Sequence, residues 1–229
     1  MNSKTEINHE KLMDLFGNVF NDVAGSMAIM MSYLGDQTGV YRAMDKLGPA
    51  SVEEIAKESN VDERYLLEWL SSNSGRGYVT YHDDEEKFSL SPEQAAVFAR
   101  ENEPTCIQGL VQGVVGQFVK EDIAVDVFQT GRGRPWGEHH ECCFCGTERF
   151  FRPAYAGHLL DEWIPAMEGV EDKLKKGAKV ADIGCGLGTS SMLMAEQYPN
   201  STIHAFDFHG PSIDEAKKRA AEKGLDNLE

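Results

Sequence analysis

Val180-Ala181-Asp182-Ile183-Gly184-Cys185-Gly186-Leu187-Gly188 sets three alternating glycines directly behind a β-forming run. That run, with one acid in it, stops abruptly at the glycines, which fits a short buried strand ending in a tight turn. The spacing then predicts a helix over Thr189 to Gln197 and a turn at Pro199-Asn200. A second strand, Thr202-Ile203-His204-Ala205-Phe206, stops at Asp207, and Ser212 with Glu215 reads as a capping box for the next helix. Strand, loop, helix, strand, helix is the opening of a doubly wound parallel sheet.

The glycines have a mechanical purpose. A ligand can approach the backbone at the carboxyl end of a strand only where no β-carbon intervenes, and the turn needs positive φ. Gly184, Gly186 and Gly188 are spaced G-x-G-x-G, unlike the G-x-G-x-x-G of dinucleotide folds. Asp207, at the tip of the second strand, is placed to accept both hydrogen bonds of a ribose diol. Asp182, two residues before the first glycine, is placed to face a cationic ammonium group.

Upstream, Leu12, Phe16, Val19, Phe20, Val23, Met27 and Met30 recur at helical spacing, and a second helix runs from Gly39 to Leu47. Such an apolar terminal helix packs on its own domain or on a partner. Ser51 to Ala99 has winged-helix punctuation. Ser51 and Glu54 form a capping box, Asn60-Val61 a turn, and Asp62 caps a helix with Tyr65, Leu66, Trp69 and Leu70 on one face. Tyr78 to Tyr81 and Lys87 to Leu90 read as two strands about an acidic turn, and Pro92 opens a further helix. Residues 105–129 are helical in pattern, and Gly131 to Gly137 is loop. Pro153 is expected to open another helix, with Gly169 and Gly177 bracketing a linker.

Charge narrows the function. The 229 residues carry a formal net charge of −16, so the surface repels phosphate backbones and anionic membranes. Residues 1–100 hold 9 Lys and Arg against 17 Asp and Glu. The helix that would read DNA offers Asp62, Glu63, Arg64 and Glu68, not base-reading side chains. Nucleic acid and membrane are therefore not expected partners, and a cytoplasmic location is expected. The 5 cysteines are odd in number, so no disulfide framework follows. Cys142, Cys143 and Cys145 after His139 and His140 lack a second ligand pair for zinc. No metal is expected, and the thiols read as a reduced cluster on a loop.

The quoted glycine stretch resembles the first motif of class I S-adenosylmethionine-dependent methyltransferases, and Asp207 matches that family's ribose-binding acid. Upstream, Glu63-Arg64-Tyr65, Glu68-Trp69-Leu70, Gly77-Tyr78-Val79, Pro135-Trp136-Gly137 and Asp161-Glu162-Trp163-Ile164-Pro165-Ala166 are similar to a subgroup with an N-terminal winged-helix domain. The resemblance implies S-adenosyl-L-methionine as cofactor, held by Asp182, Gly184, Cys185, Gly186, Gly188, Asp207 and Phe208. Phe208 would flank the adenine. It also implies a dimer, with the winged-helix region serving dimerisation and the substrate pocket.

The expected architecture is thus α/β. Residues 1–150 form a mostly helical winged-helix domain, and 151–229 the leading part of a Rossmann-like parallel sheet with flanking helices. The expected activity is methylation of a small-molecule oxygen or nitrogen. His139 and His140 are the candidate bases, and Phe150, Arg152 and Tyr155 candidate pocket residues. The family's fold continues beyond the equivalent of Glu229, so a truncated chain is expected. It would bind cofactor weakly and hide its sheet edge by oligomerising. Other readings of the same residues are a winged-helix transcription regulator with a metabolite-sensing glycine loop, a nicotinamide enzyme, a glycine turn kept only for packing, and an inactive chain that dimerises with a full-length copy.

Overall fold

The computed structural model describes residues 7–229, which fall into two compact units divided between Ser91 and Pro92. In the first, α1 (His9–Gln37) leads to α2 (Val40–Leu47), α3 (Val52–Ser59) and α4 (Glu63–Gly75). The capping box at Ser51 and Glu54 forms as the sequence predicts, and Asp62 caps α4 by accepting from the Tyr65 N–H. Strands β1 (Thr80–His82) and β2 (Lys87–Ser89) pair antiparallel, and Ala50 bridges to Phe88 to complete the wing. The strands are shorter than the sequence suggests. The Tyr78 N–H still donates to the Asn73 carbonyl, so the chain is closing the end of α4 where a strand was expected to begin.

Leu66, Trp69 and Leu70 of α4 are buried with Tyr41, Met44 and Ile55, whereas Tyr65 is 80 % exposed, so the α4 face is narrower than its pattern. The Trp69 indole donates to the Met31 carbonyl at 2.8 Å, and Tyr41 meets its ring edge-on. These contacts anchor the C-terminal end of α1. Its earlier turns are different: Leu12, Phe16, Val19, Phe20, Val23 and Met27 are all exposed.

The second unit begins with α5 (Pro92–Phe98), α6 (Gln108–Phe118), α7 (Glu121–Thr130) and α8 (Glu141–Ala154). Residues 92–150, grouped with the winged helix in the sequence reading, pack here with the later elements. Within that unit, α6 and α8 meet along a glycine seam. A β-carbon on Gly109 would lie 2.4 Å from the Phe150 nitrogen, and one on Gly146 2.6 Å from the Gly109 oxygen. Only glycine permits that approach.

Two corrections to the sequence reading fall on α8. Cys142, Cys143 and Cys145 lie in this helix, not on a loop, because His140 caps it by accepting from the Cys142 N–H. Pro153 lies inside α8 and does not open a new helix. Lacking an N–H, it removes one helical bond, and the chain continues as a π-helical run, Tyr155–Trp163.

Helix α9 (Val170–Lys176) occupies the stretch read as a linker, flanked by the two predicted glycines. The predicted βαβ unit follows as β3 (Lys179–Ile183), α10 (Thr189–Gln197) and β4 (Thr202–Phe206). The strands are parallel, in register from Lys179 opposite Thr202 to Ile183 opposite Phe206. Buried Ile164, Leu174 and Tyr198 form a core against Val180 and Met194. Helix α11 (Gly210–Lys223) starts earlier than the Ser212 cap predicted, with His209 at its N-cap and Pro211 in its first turn. Beyond α11, Leu228 forms an isolated parallel bridge to Ile203, so the segment from Asn227 to Glu229 lies beside β4. Asn227 fixes it, its amide donating to the carbonyls of Ala195 and Ser201, both at 3.0 Å. Among the described residues no helix is long and apolar enough to cross a membrane.

Replacing Gly146 with alanine drives a β-carbon into the α6 backbone, which cannot yield as a side-chain tip would. Gly146→Ala should destabilise the fold by about 1–3 kcal/mol, read as a lower urea midpoint, while Gly157→Ala, with open space around it, should change little.

Candidate functional site

The turn after β3 is shaped by its glycines, with φ of 78° at Gly184, 56° at Gly186 and 77° at Gly188. β-carbons at Gly184 and Gly186 would meet nothing within 4 Å, so the turn is not plugged by side chains. Gly188 differs. A β-carbon there would come 3.1 Å from that of Ala216, so its smallness serves the packing of α11. An open cavity of 240 Å³ lies against the turn, lined by Asp182, Gly184, Cys185 and Gly186, by Ser190 and Thr189 of α10, and by Glu148 and Phe151 of α8.

Asp207 folds back onto the same turn. One carboxylate oxygen accepts the Gly186 N–H at 2.9 Å and the other accepts the His209 N–H at 2.8 Å. Each carboxylate oxygen has about two acceptor sites, so each keeps one for a further donor. Phe208, next to it, is 80 % exposed. Asp182 accepts the hydroxyls of Ser190 and Ser191 at 2.7 and 2.6 Å. No Lys or Arg forms a salt bridge with it among the described residues; the two hydroxyls are the side-chain donors it meets. Of the residues marked in the sequence, Asp182, Gly184, Cys185 and Gly186 share the cavity. Asp207 braces it, Gly188 packs beneath α11, and Phe208 faces outward.

Burial, then the charges of Asp182 and Asp207, push the Cys185 thiol up to about 11. It is thus protonated at neutral pH and is no nucleophile. Tyr155 also lines the cavity, and burial followed by the charge of Asp182 raises its phenol. Phe150 and Arg152 lie elsewhere. Arg152 pairs with Glu101 at 3.0 Å and lines a separate cavity with Arg219 and Glu222.

Local sequence pattern does not single out Trp136, Phe144, Glu148, Phe151 or Thr189 as site residues, yet all line the cavity. Glu148 has a side chain only 12 % exposed. It accepts the Thr189 hydroxyl at 3.0 Å and faces Arg219 at 3.7 Å, tying α8 to α10 and α11. The i, i+3, i+4 and i+7 spacing of Phe144, Thr147, Glu148 and Phe151 was the available signal, but which way that face turned was not.

The two histidines separate. His140 is spent on its cap, with its Nδ1 accepting from Cys142. His139 lies 5.4 Å from the Trp136 ring, its Nδ1 buried without a hydrogen-bond partner. Burial, then the Arg134 charge, lowers its pKa. Among the described residues no group of His, Cys, Asp and Glu could hold a metal ion.

With its pKa depressed, folded His139 binds fewer protons than the unfolded chain as pH falls through the ordinary histidine range near 6.5. Its contribution to stability is therefore complete above that range and is lost toward the folded pKa. His139→Asn should flatten the fall in urea midpoint between about pH 7 and pH 5; an unchanged slope would show that His139 is not held neutral.

Residues 25–100 match the family described as "Rv2258c-like winged HTH domain", and residues 174–229 match "Methyltransferase domain". No curated protein matches this chain. Among solved structures, the mitomycin 7-O-methyltransferase has a TM-score of 0.68 at 15% identity, over 97% of this chain and 66% of that one. Human N-acetylserotonin methyltransferase, solved in complex with SAM, has a TM-score of 0.61 at 15% identity, over 100% of this chain and 67% of its own. A putative O-methyltransferase from Nostoc punctiforme PCC 73102 has a TM-score of 0.64 at 16% identity, over 94% and 63%. This chain thus spans about two thirds of the length of the structures it resembles.

Proposed function

We propose that this chain, which joins a winged helix-turn-helix domain to a methyltransferase domain of the S-adenosylmethionine-dependent class, holds S-adenosyl-L-methionine against the β3 turn and serves methylation of a small-molecule oxygen or nitrogen. The observation that carries the reading is Asp182. A part-buried carboxylate with no cationic partner, beside an open glycine turn, is costly unless a cation joins it, and the α-ammonium of the methionine portion is such a cation. The free acceptor sites on Asp207 suit the ribose hydroxyls, and the exposed ring of Phe208 is available to adenine. When bound, the cofactor supplies a sulfonium methyl already activated for displacement, so the protein's task is alignment.

An oxygen or nitrogen acceptor also gives up a proton. His139 is better suited to take it than His140, because its Nδ1 is uncommitted and burial keeps it neutral. A regulator that reads DNA is less well supported. On α4, Arg64 is paired with Glu68, beside Asp62 and Glu63, leaving little to attract phosphate.

Saturation-transfer NMR on the whole chain, which detects even millimolar binding, tests the cofactor reading with S-adenosylmethionine and S-adenosylhomocysteine. Because both ligands carry the ammonium and the ribose, Asp182→Asn and Asp207→Asn should each weaken both by about tenfold. Equal affinity in the variants would overturn the roles given to these acids.

We also infer that the chain self-associates through α1, whose exposed apolar residues from Leu12 to Met27 form a longer stripe than a solvated helix face sustains. Sedimentation velocity should show a dimer, and Phe16→Glu combined with Phe20→Glu should return it to monomer. A native chain that remains monomeric at all concentrations would refute the interface.

A further inference from the structure

The cavity beside Asp182 has a second character besides its acids. Trp136, Phe144, Phe151 and Tyr155 all line it. Phe151 and Tyr155 stack with centroids 6.0 Å apart, and Trp136 and Phe144 lie 5.2 Å apart. Phe144, Phe151 and Tyr155 are separated by seven and four residues, which keeps them on one side of α8 and its π-helical continuation. Those two elements therefore contribute three rings to the site.

No Lys, Arg or His lines this cavity. Its charged lining residues are Asp182 and Glu148, and Glu148 is already engaged by Thr189, Arg152 and Arg219. An anionic ligand would be repelled by Asp182, and a neutral apolar one would desolvate that carboxylate without compensation. Aromatic faces beside an unpaired carboxylate suit a cation with apolar substituents, since ring quadrupoles attract positive charge most strongly where water is excluded.

We propose that this aromatic wall recognises the positive charge on the cofactor's sulfonium, so that the site distinguishes S-adenosylmethionine from its neutral product. The inference rests on the cofactor reading above and adds the determinant of charge-state specificity. In methyl transfer the acceptor's lone pair forms the new bond to carbon as the carbon–sulfur bond breaks. The bonding pair stays on sulfur, and the acceptor's proton passes to a base or to solvent. Sulfur thereby becomes an uncharged thioether. The rings lose the cation they held, while Asp182 keeps its ammonium, so this wall weakens its grip on product without loosening the rest of the site.

The test is a titration of the whole chain with S-adenosylmethionine, the amine-bearing cationic analogue sinefungin, and S-adenosylhomocysteine. Phe151→Leu and Tyr155→Leu should each weaken the two cationic ligands by about tenfold and the neutral one by less than about twofold. Tyr155→Phe, which keeps the ring, should retain the preference of the native chain. Phe144→Leu provides a further ring deletion should either leucine variant fail to fold by circular dichroism. Equal weakening of all three ligands would reduce the wall to apolar packing and overturn the proposal, as would no change in any. Failure of the native chain to bind any of the three would instead overturn the cofactor reading, and the wall's role with it.

Discussion

The close approach of α6 and α8 is the constraint on which the site depends. Gly109 and Gly146 bring two backbones together where any β-carbon would collide with main-chain atoms. That contact sets the height of α8, and α8 carries Phe144, Thr147, Glu148 and Phe151 to the cavity. Close-packed interiors transmit such positional constraints with little slack. A seam with no catalytic residue in it therefore governs where one side of the site stands.

The opposing constraint is electrostatic. Glu148 is largely buried at its side chain but engaged by a hydroxyl and two guanidinium groups, so it acts as a rivet between α8, α10 and α11. Asp182 accepts two serine hydroxyls and has no salt bridge among the described residues. Two carboxylates facing one cavity thus have different purposes, one consumed by structure and the other available to a ligand. Asp207 does both: its backbone bonds hold the turn open while its remaining lone pairs stay free. Turn, acids and rings thus line one cleft.

The π-helical run connects these two themes. Pro153 within α8 forfeits one hydrogen bond, and farther along the Ile164 N–H donates to Leu159, five residues back. Wider turns change the direction in which successive side chains leave the axis. π-helical segments inside helices often lie at functional sites, and here Tyr155, the first residue of the run, lines the cavity.

Local signals were legible in the sequence wherever one short stretch contains all the atoms that decide the outcome. The Ser51–Glu54 capping box, the Asp62 cap, helix α10 to the residue, strand β4 and the positive φ of Gly184 and Gly186 all arise from neighbours within a few positions. Distant contacts decided the rest. Nothing within residues 141–163 announces that Pro153 will be carried inside a helix. Nothing near Gly146 announces that Gly109 lies across from it, or that 92–150 will pack with the later elements. Neighbouring residues were enough to specify a parallel βαβ unit with an open glycine turn, following a winged-helix domain. Tertiary structure alone decided which side chains face that turn, because a helix's rotation and height are set by the partner it packs against and not by its own periodicity.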